Sequence, residues 1–390
     1  MPRCWESSKS IMRILLVTNY KEDEQKSMLR FGNLLASDFS NKGIEVSEVF
    51  PKSNIQKFCS GTKIRKWAGY LDKYFLFQKR LDTLLKDKSF DIIHIIDHSN
   101  SIYLPKLSRL TKTPKVTTCH DMIAIRAAYG EFPMAPITSR TGKYLQKWIA
   151  SSLEISDFYV CDSKQSQNDL LNRIPSSGGN SKIIHLGVNQ AKVDNSYNLR
   201  TPEIDLKDTK YLLHVGNDAW YKNRKGVLKA FKFVQDHDNC IIDKLVLVGP
   251  EIQKHELNPE LENWKKKNKN KLISLTNVSE NLLQALYQQA TLLVFPSFIE
   301  GFGWPPLEAH ANNCFSITTK TGAIFEVLKD NAIYVDPNNQ NELNNAVLMN
   351  LLNNKRREFT KSLPTNNECT KNYTLLYKDI ISNHHRNKIS

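Results

Sequence analysis

The stretch Phe295-Pro-Ser-Phe-Ile-Glu300-Gly-Phe-Gly-Trp-Pro-Pro-Leu-Glu308-Ala-His-Ala311 constrains the fold more than any other. The apolar run 291–295 leading into it reads as a buried strand of a parallel sheet. Gly301 and Gly303 mark a loop, and Pro305-Pro306 stand where a helix should begin, because the amide proton that proline lacks would be unpaired there. Free amides and the positive end of the helix dipole at such a terminus favour a phosphate. Two carboxylates beside an anion site make sense if the ligand also carries hydroxyls, since a carboxylate accepts strongly from a diol. Phosphate with diols describes a sugar nucleotide.

Glu300 and Glu308 stand in the E-x7-E arrangement of glycosyltransferase family 4, and the wording E-G-F-G-x-P-P-L-E-A is similar to that family's. The resemblance runs on through Ser316 to Val327 and Ala332 to Pro337, and back through Asn277 to Tyr287. It implies the GT-B architecture, an α/β fold of two Rossmann-like domains facing across a cleft. The boundaries read as a disordered lead at 1–11, an N-terminal acceptor domain at 12–195 and a nucleotide-sugar donor domain at 196–370. A last helix at 371–390 would cross back to the first domain, as in relatives.

A chain of 390 residues is long enough for two such domains. Its net charge of +14, from 54 basic against 40 acidic residues, is compatible with nucleic acid, anionic lipid or an anionic substrate. No nucleic-acid-binding signature is present, so no nucleic-acid partner is expected. The seven cysteines are odd in number and none forms a C-x-x-C pair, which argues against a disulfide framework or zinc site. With no apolar run near the roughly 18 residues of a membrane span, the expectation is a cytoplasmic protein, with peripheral placement at the inner face of a membrane left open.

In the N-terminal half, Met12 to Thr18 is the opening strand and Ser27 to Phe39 has helical periodicity. The family usually places a glycine pair in the loop between them. This chain has Asn19 to Arg30 without one, so Ser27 and Arg30 stand only as candidate acceptor contacts, against a solvated helix face. The basic and aromatic segment 63–88 has two readings. It could lie on an anionic membrane surface, or pack an apolar stripe on the sheet with its lysines solvated. His98 and the His120-Asp121 pair follow strands at the ends that face the crevice of an α/β sheet. The resemblance gives His120 an approach to the donor sugar; His98 reads equally as structural, and His94 as core. Ser163 reads first as a helix cap.

In the C-terminal half, the strand 210–215 and Gly216 precede Lys222-Asn-Arg224-Lys-Gly226. By its spacing from Gly216, Lys222 resembles the family's lysine for the departing diphosphate, with Arg224 or Lys225 as second cation. Relatives carry arginine after the glycine, where this chain has Asn217. Asp236-His-Asp238 falls at the amino end of the sheet, so no metal or other cofactor is expected. The resemblance thus implies catalytic roles for Glu300 and His120. It implies contacts to the diphosphate and sugar from Lys222, Arg224, Gly301, Phe302 and Gly303, and ribose binding by Glu308. Acceptor or cleft contacts fall to His98, Asp121, Ser27 and Arg30. The expected reaction is retaining sugar transfer from a nucleoside-diphosphate sugar to a carbohydrate or glycolipid. A sugar-nucleotide epimerase, or a non-catalytic protein that binds sugar nucleotides or a membrane surface, is the alternative.

Overall fold

The computed structural model describes residues 11–188, 199–201, 204–237, 242–353 and 362–389. The lead at 1–10, most of the polar segment read as an interdomain linker, and Asp238 lie outside them. Two six-stranded sheets, parallel throughout, organise the chain. The first takes the order β2-β1-β3-β4-β5-β6, from β1 (Arg13–Val17), β2 (Glu45–Val49), β3 (Ile92–Ile95), β4 (Lys115–Cys119), β5 (Phe158–Cys161) and β6 (Ser181–Ile183). A short antiparallel pair, β7 (Arg200–Thr201) with β8 (Ile204–Asp205), stands between the sheets in sequence. The second sheet takes the order β11-β10-β9-β12-β13-β14. Its strands are β9 (Tyr211–Val215), β10 (Lys244–Val248), β11 (Leu272–Leu275), β12 (Leu292–Val294), β13 (Ser316–Thr318) and β14 (Ile333–Tyr334).

The central strands are buried on both faces, as helix-covered parallel sheets must be, and β1 carries four consecutive fully buried residues, Ile14 to Val17. Strand order reverses between β1 and β3 in one sheet and between β9 and β12 in the other. At such a switch point the loops diverge to opposite faces and leave a crevice beyond the carboxyl ends of the strands. The loops after β1, β3, β9 and β12 are those that carry the Asn19 segment, His98, Lys222 and Glu300.

The final helix spans Asn366–Ile389, so it begins before the expected 371, and it packs on the first lobe rather than the second. Tyr373 and Tyr377 are fully buried there, against Phe31 and Phe39 of the helix Lys26–Asn41. The Tyr377 hydroxyl lies 2.7 Å from His94 Nδ1, and the Tyr373 hydroxyl 2.9 Å from Thr118 Oγ1. His94 is therefore core, and burial lowers its pKa to about 3, which keeps the ring neutral.

The segment 62–87 is a helix, Thr62–Leu71, continued through one wider turn at Asp72–Leu76 into Phe77–Asp87. Its inner side is held by buried Ala68, Asp72, Phe77 and Leu81. Asp72 accepts from the Ile55 and Gln56 amides at 2.9 and 3.1 Å, fixing the preceding loop. The apolar stripe does not all pack inward. Ile64, Trp67, Leu71 and Phe75, at helical spacing, are 63%, 64%, 52% and 58% exposed. Lys57, Arg65, Lys66 and Lys79 are exposed around them. Among the described residues no helix is long and apolar enough to cross a membrane.

Candidate functional site

Glu300 leaves the carboxyl end of β12 and Lys222 the loop after β9, so the second sheet's switch point brings them together. Lys222 Nζ donates to both carboxylate oxygens of Glu300, at 2.8 and 3.0 Å. The Glu300 amide donates to Thr321 Oγ1 at 3.0 Å, which anchors the loop from behind. An ammonium has three protons, and two are committed to Glu300. The third is available to a phosphate without breaking the pair.

The loop that follows turns sharply. Gly303 sits at φ +85°, a conformation L side chains rarely adopt, and caps the helix Trp304–Ala311 with no side-chain partner. Among the described residues, no protein acceptor is found for the amides of Gly301, Phe302 and Gly303. Phe302 itself turns its ring into the core, so its backbone alone faces the cleft. The result is a run of N–H groups feeding into a helix start, an arrangement suited to an anion. One turn into that helix, Glu308 accepts from the fully buried Tyr287 hydroxyl at 3.1 Å and from Arg30 Nη1 of the other lobe at 2.5 Å.

The two lobes touch across this region. A methyl group at Gly301 would come within 2.2 Å of the His120 carbonyl oxygen, so the two backbones meet where only glycine fits. Gln165 Oε1 accepts from the Gly322 amide at 2.7 Å, and Lys26 Nζ donates to Asn277 Oδ1 at 3.1 Å. Glu326 accepts from the Lys164 amide at 2.8 Å, a donor-lobe carboxylate at the start of an acceptor-lobe helix. The two lobes also meet through the rings of Phe132 and Trp220, 5.3 Å apart.

His120 is buried at this junction, between two acceptors. Its Nδ1 lies 2.5 Å from Asp162 Oδ2 and its Nε2 lies 2.8 Å from the Ile96 carbonyl. Nε2–H donates to the Ile96 carbonyl, and Nδ1 shares a proton with Asp162, whose own carboxyl burial pushes above the usual range. Burial alone would discharge the ring, but Asp162, Asp97 and the Ile96 carbonyl outweigh it and raise the pKa to about 9. The ring therefore has no nitrogen free to reach a donor sugar, contrary to the role the resemblance implied, and only the His120 backbone carbonyl meets the donor lobe, at Gly301. Asp121 uses Oδ1 to accept from the Ile123 amide at 2.9 Å. His98 is buried, its Nδ1 3.3 Å from Asp97. Asp97 is the centre of the first lobe's crevice, accepting from Asn19 Nδ2 at 2.6 Å and from Ser99 Oγ at 2.7 Å. Burial would raise its carboxyl, yet the His98 and His120 rings and Ser99 hold it below the usual value. Asn19, from the loop where the family resemblance implied a glycine pair, joins this network and also accepts from Asn100 Nδ2 at 3.0 Å.

The remaining sequence-derived residues fall as follows. Ser27 stays on an exposed helix surface. Ser163 caps the helix Lys164–Arg173, its Oγ accepting from the Ser166 amide at 3.0 Å. Arg224 begins the helix Arg224–Gln235 but turns into the donor lobe, 3% exposed, and donates through Nη2 to the Pro250 carbonyl. Its Nε and Nη1 are buried without partners, and burial lowers its pKa. Arg224 is therefore not at the cleft surface beside Lys222. Sequence reasoning did not single out Tyr287, Trp304, Asp97 or Asp162. Their carbon-rich or strand-end contexts read as core, and only tertiary contacts give them polar partners. Among the described residues no cluster of three or more His, Cys, Asp or Glu is placed to hold a metal.

Residues 34–192 match the family described as Glycosyltransferase Family 4, and residues 199–363 match Glycosyl transferases group 1. The chain is 35% identical over 138 residues to the O-antigen chain mannosyltransferase RfbU of Salmonella typhimurium, a stretch covering 35% of this chain and 37% of that relative. It is 24% identical over 278 residues to O-antigen chain mannosyltransferase B of Escherichia coli, covering 68% and 67%. In structure it resembles the sucrose-phosphate synthase of Thermosynechococcus elongatus, with a TM-score of 0.72 at 16% identity over 95% and 99% of the two chains.

Proposed function

Because the chain belongs to glycosyltransferase family 4, with the GT-B architecture, we propose that it moves a sugar from a nucleoside-diphosphate sugar to a hydroxyl of a carbohydrate or glycolipid acceptor, with retention of anomeric configuration. The observation that carries this reading is the Lys222–Glu300 pair at the switch point, facing the other lobe and followed one helical turn later by Glu308.

Departure of the diphosphate builds negative charge on the leaving group and positive charge on the sugar ring. The free Lys222 proton, the amides of residues 301–303 and the positive end of the helix Trp304–Ala311 would meet the first. The Glu300 carboxylate would hold a sugar hydroxyl and face the second, and Glu308 would take the ribose diol. These groups need no metal to balance the leaving group, so we propose a metal-independent reaction. Asp97 and its amide network would line the acceptor side.

The two curated relatives are named for mannosyl transfer to O-antigen, so a mannosyl nucleotide and a surface-polysaccharide acceptor are the first pair to try. The exposed stripe Ile64, Trp67, Leu71 and Phe75 with its surrounding lysines supports a peripheral seat on an anionic membrane, at its cytoplasmic face. Release of nucleoside diphosphate, assayed with and without acceptor over a donor panel, tests the reaction. The expected result is acceptor-dependent release that Glu300→Ala lowers about 10²–10³-fold. Turnover of that variant near the parent's rate would overturn the role of Glu300.

A further inference from the structure

Arg30 was expected, at most, on the acceptor side. It lies along the first turn of the donor lobe's helix Trp304–Ala311 instead. Its guanidinium stands 4.4 Å over the Trp304 ring and its Nη1 reaches Glu308. The Arg30 side chain keeps about a third of its exposure, at 35%, and Glu308 is its one hydrogen-bond partner among the described residues. A guanidinium carries five N–H donors in a rigid fork, so several remain unengaged beside the helix start.

The other cations of the cleft are placed differently. Lys222 commits two of its three protons to Glu300, and Arg224 is buried on the Pro250 carbonyl. Position 217, after the β9 glycine, holds asparagine. A diphosphate seated on the amides of residues 301–303 would thus meet Lys222 on one flank and, among the described residues, no donor-lobe arginine on the other. We propose that Arg30, from the acceptor lobe, is the second cation of the donor diphosphate. When ribose takes Glu308, the guanidinium exchanges the carboxylate for phosphate oxygens while staying on Trp304, so lobe closure and donor binding share one residue. This assignment rests on the reading that Glu308 receives the ribose.

Titration calorimetry with UDP, GDP and ADP, and with uridine, guanosine and adenosine, separates the phosphate contribution from the ribose one. For whichever diphosphate the parent protein binds, Arg30→Ala should weaken binding about 10- to 100-fold, the scale of a lost charge-assisted hydrogen bond. The matching nucleoside should change by only a few fold. Arg30→Lys should fall between, keeping charge and losing the fork. If the alanine variant unfolds early, Arg30→Gln removes the charge and keeps the stem against Trp304. Diphosphate binding by the Arg30 variants as tight as the parent's, or tighter, overturns the proposal and makes Arg30 a plug between lobes. Glu308→Ala serves as the separate check. It should weaken nucleoside and diphosphate alike, and if neither changes, the ribose reading fails whatever Arg30 does. A parent protein that binds no diphosphate overturns both.

Discussion

His120 and Asp162 lie 2.5 Å apart in the buried floor of the interlobe junction, and the Ile96 carbonyl takes the second ring nitrogen at 2.8 Å. A folded-state pKa of about 9 lies above the ordinary value of 6.5, so folding favours the charged ring. The sign follows: this contribution is fully present below about pH 6.5 and fades as pH rises through about 9. Thermal midpoints measured from pH 6 to 10 should fall across that window in the parent protein. His120→Asn should be less stable at neutral pH and should flatten the decline. Identical slopes in both proteins would rule out the charged ring.

Lys222 and Glu300 should show the asymmetry of a buried ion pair. Removing one partner leaves an uncompensated charge and costs roughly 3–5 kcal/mol, whereas removing both charges costs much less. Glu300→Ala is therefore expected to fold with a lower urea midpoint, and Lys222→Met with Glu300→Gln to recover most of it. Both should keep the same loss of turnover. A double variant no more stable than Glu300→Ala would mean that the two side chains are uncoupled.

Gly301→Ala tests lobe closure. The added methyl would lie 2.2 Å from the His120 carbonyl, a backbone atom that cannot swing aside. The variant should keep its thermal midpoint within a few degrees but scatter X-rays as a wider particle, and its turnover should drop at least about tenfold, since small misplacements are costly in catalysis. Unchanged scattering together with unchanged turnover would show that the contact does not form in solution.

The exposed stripe should contribute to membrane binding and not to stability. Trp67→Gln with Leu71→Gln should leave the thermal midpoint near the parent's, because both side chains are already more than half exposed. The parent protein should co-sediment with vesicles containing phosphatidylserine at low salt, and the variant much less. A parent protein that ignores such vesicles would remove the membrane seat from the proposal.

The donor-side loop was legible in the sequence because its signals are local. A strand, two glycines and a proline pair define a strand-to-helix turn by themselves, and the spacing of Glu300 and Glu308 follows from it. Arg30, Arg224 and the stripe were less so. Periodicity gave the segment 63–88 an apolar face but not what, if anything, covers it. Its place two residues after Lys222 made Arg224 a candidate second cation, yet as the first residue of its helix it swings toward Pro250. The partner of Arg30 is 278 residues away, and no local pattern encodes that distance.

The closing helix gives the chain an unusual order of completion. Tyr373 and Tyr377 fill the interior of the lobe built from the earliest strands, beside His94 and Thr118. On the ribosome that half is made first, but its interior stays unfilled until the whole intervening half has emerged. The donor half can finish as a unit while its neighbour waits with apolar surface uncovered. Nascent chains paused before Asn366 should thus be the ones that chaperones hold.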